Sequence, residues 1–425
     1  MLDIKFIREN KDLVKENALK RSVSVDIDKL LELDERRREL IGEIEELRAQ
    51  QNKVSAEIAN ETDEVQRNQK INKMKGVKER LGWLEPEFKK TDQEFNDLLL
   101  AIPNILQTDV PSGKSEADNV ILREVGKKPK FSFKARDYME IGKLLDLIDT
   151  ERAAKVSGSR FGYLKNELAI LEFALVALAF DKLTKAGFKP VVPPVMIKTE
   201  SMKAMGYIDT QEDQKERYFF PEDDLYLVGT SEQSIGPMHM RETLVEKDLP
   251  LRYVAFSTCF RREAGSYGKD TKGILRVHQF DKVEMFSFTK PEDSPKEHKF
   301  LLAMEEKLMQ ALGLPYRVVA LCSADLARPS SATFDIETWL PSAGQYRETH
   351  STSDCTDFQS RRLDIKYKNS ITSKLEFVHT LNGTAFAIGR TLIAILENCQ
   401  QKDGSVEVPK VLRDWCGFKK IKSGK

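Results

Sequence analysis

Leu30, Leu33, Arg37, Leu40, Ile44, Leu47, Gln51, Val54 and Ile58 recur at a strict 3–4 spacing, with only Arg37 and Gln51 polar. After a polar break from Asn60 to Asn68 the spacing resumes at Met74, Val77, Leu81, Leu84, Phe88, Thr91, Phe95, Leu98 and Ile102. Such a repeat holds one apolar seam along one side of a helix. Two runs of about four heptads, joined by a short break, predict an antiparallel helical hairpin with a two-stranded coiled-coil seam. At ~1.5 Å per residue the first helix is about 43 Å long. That exceeds the radius expected for the rest of the chain, so the hairpin is expected to project as an arm. Gly82 and Pro86 lie inside the second run. A proline removes one backbone donor and crowds the preceding turn, which predicts a kink. Taken alone, such a hairpin is a dimerisation or spacer element. Its seam is consumed internally, and its outer face is open to a partner that the pattern does not identify.

Residues Ile102 to Gly126 carry Pro103, Pro111, Gly113 and several Asn and Asp, a linker composition. Beyond it, Leu251–Phe260, Val277–Phe288, Phe334–Leu340, Leu363–Lys368 and Leu375–Thr380 read as strands. Helical stretches at Leu168–Lys185, His298–Leu312 and Thr384–Asn398 interrupt them. Consecutive strands without regular crossovers predict a mainly antiparallel sheet flanked by helices, an α+β body behind the hairpin.

Composition narrows the function. Among 425 residues, Lys plus Arg number 68 and Asp plus Glu 68. Bulk positive charge is therefore excluded as a means of holding nucleic acid, and any such contact needs a local patch. The longest apolar stretch, Leu168 to Phe180, is about 13 residues and contains Glu172, too short to span a bilayer. Asp3, Lys5, Arg8 and Glu9 leave no room for a signal-peptide core. Cys259, Cys322, Cys355, Cys399 and Cys416 are scattered without a CxxC pair, so free thiols are expected, with neither zinc site nor disulfide framework. A soluble cytoplasmic protein is the expectation.

Several segments carry chemistry. Phe260-Arg261-Arg262-Glu263-Ala264-Gly265 ends one strand and Arg276-Val277-His278-Gln279-Phe280 opens the next, with a Gly- and Lys-containing loop between them. Period two puts Arg261 with Glu263, and His278, Phe280, Lys282 and Glu284 together, on strand faces. Arginine answers phosphate, a ring stacks on a base and a carboxylate accepts from an exocyclic amine, so the set can grip a nucleotide. Cross-strand ion pairs in a charged hairpin are the plainer reading. Leu381-Asn382-Gly383-Thr384 reads as a turn after a strand, followed by a helix in which Gly389 allows close approach to the sheet. Arg390 in that apolar helix needs an anionic partner, either a structural carboxylate or a ligand. Arg347-Glu348-Thr349-His350-Ser351 follows a strand and offers Glu348 and Ser351 as hard oxygen ligands for Mg²⁺. Thr230 and Glu232 suit an ammonium group, although such a pair also caps helices.

In combination and order, these segments resemble the bacterial-type seryl-tRNA synthetases, class II aminoacyl-tRNA synthetases, essentially end to end. Met1 to Asn10 is similar to the family's opening, the hairpin to its tRNA-binding arm, and Ile102-Pro103-Asn104 through Asp118-Asn119-Val120 to its linker. Gly187-Phe188 to Pro193-Pro194 resembles class II motif 1, whose proline lies at the dimer interface. Phe260 to Phe280 resembles motif 2 and Gly383 to Arg390 motif 3. Asp281-Lys282-Val283-Glu284, following Gly265 to Phe280, is similar to this family in particular.

The resemblance implies three parts: a tRNA-binding helical arm over 1–102, a linker over 103–126 and a class II catalytic domain over 127–425. It implies activation of L-serine with ATP to seryl-adenylate, and transfer to tRNA(Ser) and to tRNA(Sec) where the organism has it. Arg261 then binds the α-phosphate and helps hold the serine carboxylate. Arg390 contacts the γ-phosphate and covers one adenine face, with Phe280 on the other. Glu263 accepts from the adenine amino group. Arg262, Val277, Thr349 and His350 complete the implied ATP site, and Glu348 with Ser351 holds Mg²⁺. Thr230, Ser231 and Glu232 take the serine ammonium, and Glu284 and Thr384 its hydroxyl. Arg261, Glu348 and Arg390 form the implied catalytic set, without zinc and without a catalytic histidine.

Basic residues of the arm (Arg36, Arg37, Arg38, Lys53, Lys73, Lys75) and of the motif 2 loop (Lys269, Lys272) are the expected tRNA contacts, in a homodimer. Departures from the family pattern are His350 beside the implied Mg²⁺ ligands, Tyr138 in place of a histidine, and Pro86 in the arm. A ligase that charges a carrier protein, and an inactive RNA-binding relative, are the rival readings. The arm argues against the first, and retention of Arg261, Glu263, Glu348 and Arg390 against the second.

Overall fold

The computed structural model describes residues 1–264 and 273–422. The chain divides into two compact units, one of Leu2–Leu19 with Val23–Ile102, the other of Met1, Lys20–Ser22 and Pro103–Lys425.

The first unit is helical: α1 (Ile4–Glu9), α2 (Lys11–Lys20), α3 (Ile27–Asn60) and α4 (Glu64–Ala101). Asp26 caps α3 by accepting from the Lys29 amide, and Asp63 caps α4 by accepting from those of Val65 and Gln66. Satisfying these orphan donors lets α4 start ten residues before its first seam residue, Met74. The expected break from Asn60 to Asn68 therefore shrinks to Glu61–Asp63. Leu40, Ile44, Val77, Leu81 and Leu84 form the seam core, with Leu47, Met74 and Phe88 against it. Arg37, a polar seam position, reaches Asp92 at 2.5 Å and lies 5.2 Å over the Phe95 ring. Near the base Leu99 is buried where Leu98 was expected. Helix α4 continues through Pro86 as one element.

The second unit is built on β1 (Val120–Val125), α5 (Asn166–Lys185), β2 (Lys189–Val191), β3 (Leu251–Phe260), β4 (Gln279–Thr289), α6 (Ser294–Leu312), β5 (Tyr316–Ala320), β6 (Ala332–Leu340), β7 (Gln345–Asp354), β8 (His379–Ala387) and α7 (Ile388–Asn398). The eight strands form one sheet in the order β1-β5-β6-β7-β8-β4-β3-β2. Every pairing is antiparallel except β2 with β3. The fold class is thus an α+β class II core behind long N-terminal helices. Val283 and Met285 of β4 point into a core shared with α5, α6 and α7. Alternation then sends Phe280, Lys282 and Glu284 to the opposite, cavity-lining side.

Three local expectations change. Asn382-Gly383 is strand, not turn, since β8 runs unbroken to Ala387 and α7 starts at once. Gly383 serves close packing there: a Cβ would lie 3.1 Å from Glu305 Oε1 and from Thr352 Oγ1. A Cβ on Gly389, by contrast, would meet only the Ile274 carbonyl at 3.6 Å. Residues Phe358–Leu363 are helical, and strand begins only at Lys366, after Asp364 takes a left-handed φ of 52°. Within 103–126, Val120–Val125 is an edge strand paired with β5.

Candidate active site

Two β-bulges arrange the site. On β8, Glu284 pairs with Thr384 while its neighbour Val283 pairs with Phe386, so Ala385 is an extra residue. Thr384 and Glu284 therefore stand directly across from each other, both buried. On β7, Glu348 pairs with Glu337 and His350 with Ile336, leaving Thr349 extra. Glu348 and Ser351 are an odd number of residues apart and would occupy opposite faces of a regular strand. The bulge brings both to the cavity.

That cavity, about 590 Å³, lies within the second unit. Its closed end is polar. Lys282 Nζ sits 2.5 Å from Glu284 Oε2 and 3.2 Å from Thr230 Oγ1. Burial, reinforced by Glu232, pushes the Glu284 carboxyl up to about 7 against the opposing pull of Lys282. Glu232 heads the short helix Glu232–Ile235. One of its carboxyl oxygens accepts from the Tyr207 hydroxyl, and the other is buried without a protein partner. Burial raises this carboxyl as well. The preceding turn is fixed by the Gly229 amide donating to Gln233 Oε1 at 2.8 Å.

The other end carries cations. Arg261, just past β3, donates from Nε to the Gly229 carbonyl at 3.1 Å and lies 5.3 Å over the Phe280 ring. Glu263, at a left-handed φ of 52°, pairs with Arg276 at 2.9 Å. Arg390, on the first turn of α7, meets Glu348 Oε1 at 2.9 Å and donates to its carbonyl at 3.0 Å.

Of the residues expected at the site, Thr230, Glu232, Arg261, Glu263, Val277, Phe280, Glu284, Glu348, Thr349, Ser351, Thr384 and Arg390 line this one cavity. Three do not. Ser231 is completely buried beside it. Arg262 turns away to lie 5.4 Å over the Tyr218 ring. His350 points into the core beside Phe386, with Nδ1 2.9 Å from Thr349 Oγ1. Burial drops its pKa to about 3, so the imidazole is neutral. His278 also lies outside the cavity lining, since β4 starts one residue later and its Nδ1 faces the Arg261 carbonyl at 3.0 Å.

Lys282, Tyr207 and Arg217 line the cavity without having been singled out as ligands. Lys282 was readable from its period-two neighbours Phe280 and Glu284, whereas Tyr207 and Arg217 come from segments with no local pattern. Lys269 and Lys272 lie outside the described residues.

Glu348 and Ser351 offer one carboxylate and one hydroxyl. Asp335 stands across from Ser351 with Oδ1 buried and unpartnered. Among the described residues no group of three or more His, Cys, Asp or Glu could hold a metal. A hard-oxygen pair of this kind suits Mg²⁺, which is commonly held by one or two protein oxygens together with substrate phosphates. No helix of the described residues is long and apolar enough to cross a membrane.

On the arm, Arg36, Arg37 and Arg38 are engaged by Glu87, Asp92 and Asp34. Lys53, Lys73 and Lys75 are exposed and make no ion pair among the described residues.

Comparison with known proteins adds the following. Residues 1–106 match the model of the seryl-tRNA synthetase N-terminal domain, and 218–399 that of the tRNA synthetase class II core domain (G, H, P, S and T). The serine–tRNA ligase of Dictyoglomus thermophilum is 45% identical over 428 residues, covering all of both chains. That of Dictyoglomus turgidum is 43% identical with the same coverage. The crystal structure of seryl-tRNA synthetase from Pyrococcus horikoshii complexed with ATP superposes over all of both chains, with a TM-score of 0.88 at 40% identity. The cytoplasmic serine–tRNA ligase of Naegleria fowleri in complex with AMP gives 0.84 at 36%, covering 100% of this chain and 99% of that one.

Proposed function

The chain belongs to the seryl-tRNA synthetase family, a class II ligase family, and from that premise we propose that it activates L-serine with ATP and transfers it to tRNA(Ser), and to tRNA(Sec) where the host has it. The observation that carries this reading is the pairing of Glu284 with Thr384 at the closed end of a cavity whose other end presents Arg261 and Arg390.

In the first step a serine carboxylate oxygen attacks the α-phosphorus of ATP and pyrophosphate leaves. Both reactants are anionic, so the step requires positive charge placed in advance, and positioning supplies most of the rest. Arg261, braced on the Gly229 carbonyl and on Phe280, is proposed to hold the α-phosphate and the carboxylate. Arg390 is proposed to take the γ-phosphate, exchanging its Glu348 contact for the ligand. Mg²⁺, held by Glu348 and Ser351 with the phosphates, supplies further neutralisation when bound. Phe280 is placed to stack on adenine, with Glu263 accepting from its amino group. No general base is needed, because the serine carboxylate is ionised at neutral pH. The neutral, core-facing His350 accords with that.

Thr230 and the unpartnered Glu232 oxygen are the proposed ammonium site. Glu284 and Thr384 receive the hydroxyl, with Lys282 fixing the Glu284 carboxylate. Alanine would leave these buried polar groups stranded, a discrimination of about 10⁴–10⁵. The arm is proposed to bind tRNA by shape and phosphate contacts, through the exposed Lys53, Lys73 and Lys75. A homodimer is proposed in which motif 1 forms the interface, since Phe173 on α5 and Val192 after β2 are 66% and 78% exposed. The proposed location is the cytoplasm.

The test is amino-acid-dependent ATP–pyrophosphate exchange without tRNA, run with serine, threonine, alanine, glycine and cysteine. Exchange with serine alone is expected. Exchange with a different amino acid would overturn the pocket assignment. None from a folded, ATP-binding protein would overturn the enzymatic reading.

A further inference from the structure

Arg217 lies on the strand-poor segment between Lys215 and Phe219 and lines the same cavity. Its guanidinium rests 5.3 Å over the Tyr207 ring. Its one hydrogen bond is a 3.4 Å contact to the Glu216 carbonyl, beyond the usual range for N–H···O. Its Nε is shut off from solvent with no partner, and it makes no ion pair among the described residues. A guanidinium so placed is costly unless an anion reaches it.

The protein carboxylates around it are committed elsewhere. Asp213 is held by Arg328 at 2.8 Å, and Glu232 accepts from Tyr207. What does face Arg217 is another cation. A Cβ on Gly229 would lie 3.5 Å from Arg261 Cγ and 3.6 Å from Arg217 Nη1, so two arginines flank one glycine. Burial, and then the Arg261 charge, hold the Arg217 pKa below its ordinary value. Two guanidinium groups around one residue with no protein anion between them make an anion site.

The position of the anion follows from the neighbours. Tyr207 touches Arg217 with its ring and Glu232 with its hydroxyl, so Arg217 borders the ammonium end of the cavity, while Arg390 and Glu348 mark the phosphate end. In an α-amino acid the carboxylate is one carbon from the ammonium group. We propose that Arg217 is a second guanidinium for the carboxylate of the amino-acid substrate, closing on it from the side opposite Arg261. This rests on the reading of the cavity as the serine-activating site. It makes Arg217 a determinant of amino-acid binding, with ATP held independently.

The experiment compares the unsubstituted protein with Arg217→Met and Arg217→Lys in serine-dependent ATP–pyrophosphate exchange. Serinol serves as a competitive probe, since it keeps the ammonium and hydroxyl groups and replaces the carboxylate with CH₂OH. Arg217→Met is expected to raise the serine KM by about tenfold or more, with the ATP KM within about twofold. The serinol Ki is expected to stay unchanged, and Arg217→Lys to recover part of the loss. An unchanged serine KM, or a serinol Ki that rises in parallel, overturns the inference alone. An unsubstituted protein that neither binds serine nor exchanges with it overturns the underlying reading together with this inference.

Discussion

Along the hairpin of α3 and α4 the interior is apolar, and the ion pairs, Arg36–Glu87, Arg48–Glu85 and Arg80–Glu43, lie outside in water. In the catalytic unit the arrangement reverses. Glu232, Lys282, Glu284 and Glu305 are all buried, and both oxygens of Glu305 lack a partner among the described residues. Burying charge is costly, whereas exposed pairs contribute little in either direction. The hairpin is therefore organised for length and stiffness, and the body carries a destabilising load of polar groups that makes sense only with a ligand. Separate costs of this kind predict separable functions.

The strongest test of that separation is deletion of Leu33 to Phe95. Aminoacylation of tRNA is expected to be lost while serine-dependent exchange persists; loss of both in a protein still folded by circular dichroism would break the comparison. Next in size, Glu284→Ala should abolish serine-dependent exchange and leave ATP binding near the parent value by calorimetry. In the hairpin, Leu40 is fully buried, and Leu40→Ala should cost about 2–5 kcal/mol in denaturant unfolding. Glu305→Met should do the opposite and raise Tm, with about 1–3 kcal/mol released, because a buried carboxyl without partners is removed. A lower Tm would mean that Glu305 has an unseen partner.

Smaller still is the effect of pH. Since the Glu284 carboxyl is raised to about 7, kcat/KM for serine should fall as pH drops through that value and the acceptor becomes protonated. Lys282→Met should shift the limb upward, because Lys282 favours the charged form. The linked stability has the sign of a raised acid. Glu284 destabilises least below about pH 4.3, its ordinary pKa, and the advantage is lost as pH rises through 7. At the small end, Arg36→Ala should leave Tm where it is.

How much was legible in the sequence differs between the same two regions. A helix repeats its own rule every turn, so Leu40, Ile44, Val77, Leu81 and Leu84 identify the seam by spacing alone. Likewise β3 occupies Leu251–Phe260, where alternation placed it. The site residues were readable as types in order, through resemblance, but their faces were not. Arg262, Ser231 and His350 share segments with cavity residues and point elsewhere, because the strand ends at Phe260, the turn buries Ser231, and β7 bulges at Thr349. Asn382-Gly383 carried a turn signal that tertiary packing overrode, since Glu305 and Thr352 press on the spot where a side chain would be. Tyr207 and Arg217 reach the cavity from a segment whose composition resembles any surface loop.

The bulges at Thr349 and Ala385 have a consequence for how this chain can vary. A strand has a parity, and each extra residue flips it for everything downstream. Removing Thr349 alone would carry Glu348 to the side of the sheet where His350 now sits, changing no chemical group and emptying the cavity of a carboxylate. Length changes of one residue in β7 or β8 are therefore frameshifts of geometry, and a compensating one elsewhere in the same strand is the only local repair.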